Sequence, residues 1–283
     1  MVLPAPILVL QNADDDPIGR LGDWLTAAGA SLDIRPLQSG ADVPESLIGY
    51  SALVVLGGGM NAYDDARSPY LPAVKARLAE AVRDELPTLA ICLGAQLLAV
   101  AVGGRVSLGT APEYGAQLVA KRQAAATDPL FKELPITPDV LQWHVDEVTA
   151  LPGAAVQLAA SPACENQAFR VGRLAWGLQF HIETTPETVS EWAQHDAQEL
   201  ADYDLDSILA RAIAVHDDLT EVWQPVATRF VEVAADPSAV AGNRSSLPMA
   251  GRNVTTAEPI TDPAAIRAAL AAEMNAARGH GHH

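Results

Sequence analysis

Short apolar runs and amphipathic segments alternate through the first hundred residues of this 283-residue chain. The strand-like runs lie at 6–10, 32–35, 52–56 and 88–91. The segments of helical spacing lie at 17–28, 69–86 and 93–102. This alternation predicts right-handed βαβ units around a mostly parallel sheet. Because ligands of such sheets bind beyond the carboxyl ends of the strands, the residues after Leu56 and Ile91 are the first candidates for chemistry.

The pattern changes in the second half of the chain. Short β-like runs recur between about residues 105 and 180, which indicates an antiparallel or mixed extension of the sheet. Helical segments then follow at 186–200, 206–216 and 219–233. We therefore predict an α/β fold, with a mostly parallel, mixed central sheet flanked by helices in residues 1–190. A helical extension is expected at 191–240, and a linker, terminal helix and frayed tail at 241–283.

The helical extension has two interpretations. Its apolar residues recur at helical spacing, which is typical of an appendage that covers apolar surface of the domain. Alternatively, the extension forms a dimer or partner-docking surface, with Trp223 and Phe230 as its anchors.

Charge and cysteine content exclude several classes of function. The chain has 18 basic and 35 acidic residues, a formal net charge of −17, so phosphate backbones and anionic lipid surfaces would repel it. The longest apolar stretch, 89–102, is interrupted and too short to cross a bilayer, and no basic region precedes the apolar N-terminus. With two cysteines, neither a disulfide scaffold nor a cysteine-rich zinc site is expected, and a cytoplasmic location is the default.

Cys92 lies between a short apolar run and a helical segment, in the sequence AICLG at 90–94. Small residues two positions before and after it fit a sharp strand-to-helix turn, which lifts a nucleophile above the edge of a sheet. The helix N-terminus behind the thiol favours a thiolate and offers backbone N–H groups to an oxyanion. A buried core cysteine fits the same five residues, so this pentapeptide alone leaves both interpretations open.

A thiol nucleophile needs a base, and the chain offers few histidines outside its tail: His144, His181, His195 and His216. His195 and His216 fall in helical segments and are expected at the surface or in packing. His181 follows the apolar run 174–180, at an edge where sites form, and Glu183 lies two residues on. In an extended chain residues i and i+2 point the same way, so Glu183 can hold the imidazole in the tautomer that accepts the thiol proton. The alternative is a polar strand end.

Three glycines at 57–59 follow another apolar run. They are not a phosphate-binding Walker loop, since no Gly-Lys-Ser/Thr follows, nor a dinucleotide fingerprint, since the spacing differs. A bare glycine run is typical of a tight turn. This one is also placed to supply a second oxyanion N–H group close to Cys92.

Six short motifs occur in order along the chain. They are LGGGMN at 56–61, AICLGAQ at 90–96, EYG at 113–115, WHVD at 143–146, NQAF at 166–169 and QFHIE at 179–183. Together they resemble the class I (triad) glutamine amidotransferases, and EYG, WHVD and NQAF resemble the GMP-synthetase-like glutaminase branch. The resemblance covers about residues 5–190 and implies the flavodoxin-like fold of that family.

The resemblance also implies roles for individual residues. Cys92 would be the nucleophile, His181 the base and Glu183 the group that orients the base, while Gly58 and Leu93 would donate the oxyanion N–H groups. In this chemistry Cys92 attacks a γ-carboxamide, ammonia leaves after protonation by His181, and water clears the γ-glutamyl thioester. No cofactor and no metal ion are implied. The residues that would hold the glutamine are Gln96, Met60, Tyr114 and Gly115.

The sequence departs from the family pattern at a few positions. The family elbow usually has Gly where Ala90 stands, and often a larger residue at Ala95. The usual Gly-Gly-Pro is GGG at 57–59, and the usual His-Pro-Glu is HIE at 181–183. Ala90 is small enough for the turn. Ala95 is expected to enlarge the pocket, which would admit a γ-glutamyl amide other than glutamine.

Residues 191–283 are too short and too helical for an ATP-pyrophosphatase domain and lack a phosphate-binding Gly-rich loop. We therefore expect a free-standing glutaminase whose ammonia acceptor is a separate synthase subunit. One alternative is a stand-alone hydrolase of γ-glutamyl amines or polyamines, whose cationic tail an acidic cavity mouth would attract. Another is a non-catalytic binding module on the same fold, against which the intact Cys-His-Glu set argues.

Overall fold

Strands and helices alternate through the first hundred residues of the structure, a computed structural model that describes residues 2–240. The strands are β1 (Ile7–Gln11), β2 (Leu32–Pro36), β3 (Ala52–Val55) and β4 (Thr88–Ile91). The helices are α1 (Gly19–Ala27), α2 (Leu71–Arg83) and α3 (Leu93–Ala101). Helix α1 ends just before Gly29, whose φ of +103° is the left-handed conformation typical of a helix C-terminus. The predicted alternation is confirmed.

The next segment, from Arg105 to Leu178, is built from strands. They are β5 (Arg105–Leu118), β6 (Ala120–Lys121), β7 (Asp139–Ala150), β8 (Ala155–Ala160), β9 (Ala168–Val171) and β10 (Ala175–Leu178). Strands β5 and β7 form a separate antiparallel pair and are much longer than the short runs that the sequence predicts there. Most of their side chains are not buried, so their apolar periodicity is weak.

The main sheet has eight strands in the order β2-β1-β3-β4-β10-β9-β8-β6. The first five strands of this order run parallel, and β9, β8 and β6 extend the sheet with antiparallel pairings. This is the predicted flavodoxin-like α/β fold with a mostly parallel, mixed sheet. The carboxyl ends of β1, β3, β4 and β10 meet at one edge, which brings the residues that follow them together.

The strands β1, β3, β4 and β10 are buried on both faces of the main sheet, because helices cover each face. Ile7, Val9 and Val54 belong to one apolar cluster, whereas the alternating Leu8 and Leu53 belong to the other. Strands covered on both faces are expected to be continuous apolar runs, as these are. The residues at their carboxyl ends therefore rest on a rigid, closely packed core.

Three helices follow the last strand: α4 (Pro186–His195), α5 (Leu205–Ala214) and α6 (His216–Ala235). Trp223 and Phe230 of α6 are fully buried, and the Trp223 ring packs against Phe131 and Phe180. These side chains belong to the core and are therefore not anchors for a partner. Within residues 2–240, no helix is long and apolar enough to cross a membrane.

The division of the chain into three parts stays a prediction. Helix α4 spans the predicted boundary at residue 190, since it begins at Pro186 and ends at His195. The linker, terminal helix and tail expected at 241–283 lie outside the described residues.

Removing the buried indole of α6 tests whether this helix belongs to the core. We expect Trp223→Ala to lower the free energy of unfolding by about 3–5 kcal/mol, because it leaves a cavity beside Phe131 and Phe180. Urea unfolding followed by circular dichroism measures the change. The control Ile213→Ala alters a 48 % exposed side chain of α5 and should stay within about 0.5 kcal/mol. A loss below about 1 kcal/mol for Trp223→Ala would contradict the packing of α6.

Candidate active site

Cys92 occupies a strained turn between β4 and α3. Its φ of +49° and ψ of −110° are rare for a residue with a side chain. The backbone N–H of Cys92 donates to the carbonyl of Leu178, 2.7 Å away, which ties the turn to β10. The sequence predicts such a turn from its small neighbours, and the thiol stands at the carboxyl edge of the sheet.

The small residues around Cys92 let helix α3 approach the sheet. A Cβ added to Gly94 would overlap the carbonyl oxygen of Val55 in β3, so only glycine fits there. Ala90 is buried in β4, between its partners Val55 and Gly177. Ala95 lies in the apolar core beneath the helix and does not line the cavity, so the expectation that it enlarges the pocket is wrong.

His181 and Glu183 form a buried pair just beyond β10. His181 donates its backbone N–H to the carbonyl of Leu141, 2.8 Å away, in an isolated bridge that keeps the chain extended. The Nδ1 of His181 lies 2.5 Å from Oε1 of Glu183, as the i, i+2 spacing predicts. The carboxylate therefore holds the ring with its proton on Nδ1, which leaves Nε2 as the nitrogen that accepts a proton from a thiol.

The charges around His181 favour its protonated form. Burial of the imidazole lowers the pKa of His181, but the charges of Glu183 and Cys92 outweigh this and hold it well above its ordinary value. The side chains of His181 and Cys92 line the same cavity. The thiol and the imidazole are therefore placed in one site, as a nucleophile and its base require.

A cavity of about 430 Å³ opens in front of the thiol and is lined by Cys92 and His181. Further residues that the resemblance implies also line it: Gly58, Met60, Gln96 and Tyr114. Gly115 is not among the lining residues. Its φ is +83°, and an added Cβ would lie 2.9 Å from Cγ2 of Ile208, so Gly115 packs beneath helix α5.

The two predicted oxyanion donors are neighbours. A Cβ added to Gly58 would lie 3.3 Å from Cδ2 of Leu93. Leu93 is the first residue of α3, where backbone N–H groups have no acceptor within the helix. Gly58 lines the cavity together with Cys92, and Leu93 directly follows Cys92 in the chain.

A buried polar network connects the EYG, WHVD and NQAF motifs to the cavity. Glu113 accepts a hydrogen bond from Gln167 at 2.8 Å, and its carboxylate lies 3.2 Å from Nε2 of His144. Nδ1 of His144 lies 3.1 Å from the carbonyl of Asp146, which also accepts from Nε2 of Gln96 at 2.9 Å. These motif residues thereby fix the β5–β7 pair and the side chain of Gln96.

Aromatic residues form another wall of the cavity. The ring of Trp192, from α4, packs edge-on against His181 with centroids 4.7 Å apart, and its N–H donates to the carbonyl of Asp15 at 2.7 Å. The indole of Trp143 donates to Asp196 at 2.8 Å. Helix α4 therefore contributes directly to the site, and His195, expected at the surface or in packing, lines the cavity.

Asp16 is a site residue that the sequence reasoning missed. It follows β1, is 3 % exposed, and lines the cavity together with Cys92 and His181. Burial raises the pKa of Asp16 to about 7; the charge of His181 opposes this rise and the charge of Glu183 adds to it. The rule that directed attention to the ends of β3 and β4 applies equally to β1, so the acidic run 14–16 was a usable signal.

Within residues 2–240, one group of possible metal ligands is compact enough to be considered as a site for an ion: Asp16, His181 and Glu183. Their ligand atoms lie within 4.8 Å of one another. However, Nδ1 of His181 and Oε1 of Glu183 already share a hydrogen bond of 2.5 Å. Two ligand atoms of one ion, each about 2 Å from it, stand farther apart than that, so Nδ1 of His181 and Oε1 of Glu183 cannot both bind one ion in this arrangement.

Residues 19–196 match the family model of the class-I glutamine amidotransferases, which is more than half of the chain. The chain therefore belongs to this family, whose members hydrolyse the amide of glutamine and transfer its ammonia. The resemblance read from the six motifs is confirmed.

Two sequence relatives illustrate the family. The glutamine amidotransferase-like protein YfeJ of Salmonella typhimurium is 30 % identical over 182 residues, which cover 63 % of this chain and 76 % of that protein. A GMP synthase of Porphyromonas gingivalis is 34 % identical over 142 residues, covering 50 % of this chain. The matched part is only 26 % of that synthase.

Two solved structures share the fold. A glutamine amidotransferase of Thermotoga maritima has a TM-score of 0.73 and 31 % identity, and the match covers 81 % of this chain and 98 % of that one. A glutamine amidotransferase of Methylobacillus flagellatus has a TM-score of 0.73 and 25 % identity, covering 85 % of this chain and 98 % of that one. These matches confirm the predicted fold class.

The two cysteines differ in their surroundings, and a thiol reagent can compare them. We expect iodoacetamide at neutral pH to modify Cys92 at least about tenfold faster than Cys164. Cys92 lines the cavity beside His181, whereas burial and the charge of Glu147 raise the pKa of the Cys164 thiol. Mass spectrometry of the two peptides after brief alkylation measures the ratio. Equal labelling, or faster labelling of Cys164, would contradict this assignment of the reactive thiol.

Proposed function

We propose that the chain is a Cys-His-Glu glutaminase, which hydrolyses the γ-carboxamide of glutamine through a γ-glutamyl thioester and passes ammonia to a separate synthase subunit. The observation that supports this most is the strained turn at Cys92 beside a buried His181, whose Nδ1 is 2.5 Å from Glu183. A strained, cavity-lining nucleophile with an oriented base is the arrangement that acyl transfer requires.

In the proposed reaction the Cys92 thiolate attacks the carboxamide carbon, and the developing oxyanion accepts the N–H groups of Gly58 and Leu93. The His181 imidazolium then gives its proton to the leaving nitrogen, and ammonia departs as the thioester forms. His181, now neutral, takes a proton from water, which attacks the thioester. Glutamate leaves as the C–S bond breaks, and the Cys92 thiolate and the His181 imidazolium are restored.

The cavity supports a substrate of the size of an amino acid. Its volume of about 430 Å³ lies in the range of small-molecule sites, and Gln96, Met60 and Tyr114 line it. These residues would hold the glutamine as the family resemblance implies; Gly115 would act only by shaping the backbone beside Tyr114. All proposed steps use groups of the chain itself.

The cytoplasmic location stays a prediction from the cysteine content.

Replacing the nucleophile tests the proposed function. We expect Cys92→Ala to lower the release of ammonia and glutamate from glutamine by at least about a thousandfold, because no other group forms the thioester. Circular dichroism should be unchanged, since alanine fits the space of cysteine. The matched control Cys164→Ser removes the other thiol and should leave turnover near that of the wild type. Activity of Cys92→Ala within about tenfold of the wild type would refute the assignment.

The charge of the cavity favours a second candidate function, the hydrolysis of γ-glutamyl amines or polyamines. Besides Asp16, four acidic residues and neither Lys nor Arg line the cavity: Asp15, Asp146, Asp196 and Glu199. Carboxylates and the indoles of Trp143 and Trp192 would attract the cationic tail of such an amine. Because Ala95 does not line the cavity, the size of the pocket does not favour this candidate. The amine-hydrolase candidate depends on the charge of the cavity alone.

A substrate comparison separates the two candidates. We expect glutamine to have the highest kcat/KM and, among larger amides, γ-glutamyl-diaminobutane to exceed the uncharged γ-glutamyl-butylamide by about three- to tenfold at low salt. This preference should shrink in high salt and in Glu199→Gln, because both weaken the field of the cavity mouth. A kcat/KM for the cationic amide above that for glutamine would favour the amine hydrolase, and no preference over the butylamide would exclude it.

A further inference from the structure

We propose that Asp16 is a positioning residue of the triad. It works as a neutral carboxylic acid and donates a hydrogen bond to the carboxylate of Glu183. The inference rests on the proposed function, because Glu183 needs its orientation only if His181 serves as the base. No motif of the chain includes Asp16, and its role follows from where the loop after β1 places it.

The loop between β1 and α1 holds Asp16 against the side of His181. The backbone N–H of Asp16 donates to Ala13 at 3.3 Å, and the preceding carbonyl of Asp15 accepts from Trp192 at 2.7 Å. Gly57 leaves the necessary space. A Cβ added there would overlap Oδ2 of Asp16 and would lie 3.2 Å from Cε1 of His181.

The carboxyl groups of Asp16 and Glu183 are both buried and lie close to each other. One ligand atom of each of Asp16, His181 and Glu183 lies within 4.8 Å of the others. An ionised carboxylate is only an acceptor, so two of them cannot form a hydrogen bond and would repel each other in this buried place. A single proton held between the two groups would remove this repulsion and supply a hydrogen-bond donor.

The surroundings of the two carboxyl groups decide which of them carries the proton. Both oxygens of Glu183 already accept N–H bonds, Oε1 from His181 at 2.5 Å and Oε2 from the backbone of Ile182 at 2.8 Å. Asp16 has no such support, and within residues 2–240 its buried Oδ1 has no hydrogen-bond partner. Glu183 is thus stabilised as the anion, and the proton belongs to Asp16.

Ionisation of Asp16 would change the acidity of His181. The charged groups that face Asp16 are His181 and Glu183 beyond β10 and Asp15 in its own loop, and no Lys or Arg lines the cavity to compensate a further negative charge. That charge would stabilise the imidazolium, which would then be a weaker acid toward the leaving ammonia. Since burial raises the pKa of Asp16 to about 7, glutaminase activity should fall as the pH rises through neutrality.

Substitution of Asp16 tests the proposal. In Asp16→Asn, the amide N–H donates to Glu183 as the neutral acid does, but it does not ionise. We expect this variant to keep kcat/KM within about threefold of the wild type near pH 6 and to lose much less activity than the wild type between about pH 7 and 8.5. Asp16→Ala lacks the donor and should lose at least about tenfold near pH 6.

The matched control is Asp14→Asn, the same change in the same loop. The Asp14 carboxylate is exposed and accepts from Ser39 at 2.7 Å, away from the cavity, so this variant should keep the wild-type pH profile. Alkylation of Cys92 by iodoacetamide provides a readout that needs no turnover. Its rate should show an inflection near pH 7 in the wild type and in Asp14→Asn, which Asp16→Asn lacks.

The proposal is overturned if Asp16→Asn loses as much activity as Asp16→Ala near pH 6. It is also overturned if the pH profiles of Asp16→Asn and the wild type coincide in both assays. A wild-type protein that releases no ammonia from glutamine would refute the proposed function instead, and the alkylation profiles would still decide whether Asp16 acts on the triad.

Discussion

The strained backbone of Cys92 is the constraint on which the rest of the site depends. A residue with a side chain in such a conformation costs on the order of 1–3 kcal/mol, so neighbouring structure must hold it there. The hydrogen bond to Leu178 and the close approach of α3 at Gly94 to the carbonyl of Val55 provide that support. Strands β3, β4 and β10 are buried on both faces, so the turn rests on the least deformable part of the molecule.

The second constraint is electrostatic. The thiol of Cys92, the imidazole of His181 and two carboxyl groups share a largely buried space, where charges are tolerated only when they are paired or neutralised. His181 and Glu183 satisfy each other directly, and the additional carboxyl of Asp16 is accommodated if it stays protonated. The carboxylate of Glu183 is thereby the one anion beside the base, and no second buried negative charge has to be stabilised.

The sequence identified those parts of the site that local patterns encode. Cys92 and His181 were found because a nucleophile elbow and an extended His-x-Glu segment depend on nearby residues alone. Ala95 was misjudged because the face that a helical residue presents depends on how the whole helix packs. Asp16 and Trp192 were missed because they reach the triad from distant elements, through contacts that span most of the chain. The lengths of β5 and β7 were not predicted for a different reason, since exposed strands carry little apolar periodicity.

Helix α4 links the candidate active site to the C-terminal helices. Trp192 touches His181 with its ring and the loop of Asp16 with its N–H, so one side chain connects the imidazole to the loop that holds Asp16. Its own position depends on the packing of α4 against α5, and α5 in turn covers Gly115 beside Tyr114. A domain without these helices would keep the thiol, the imidazole and Glu183, but it would lose the wall that encloses them. The helices are therefore better understood as part of the site than as an appendage.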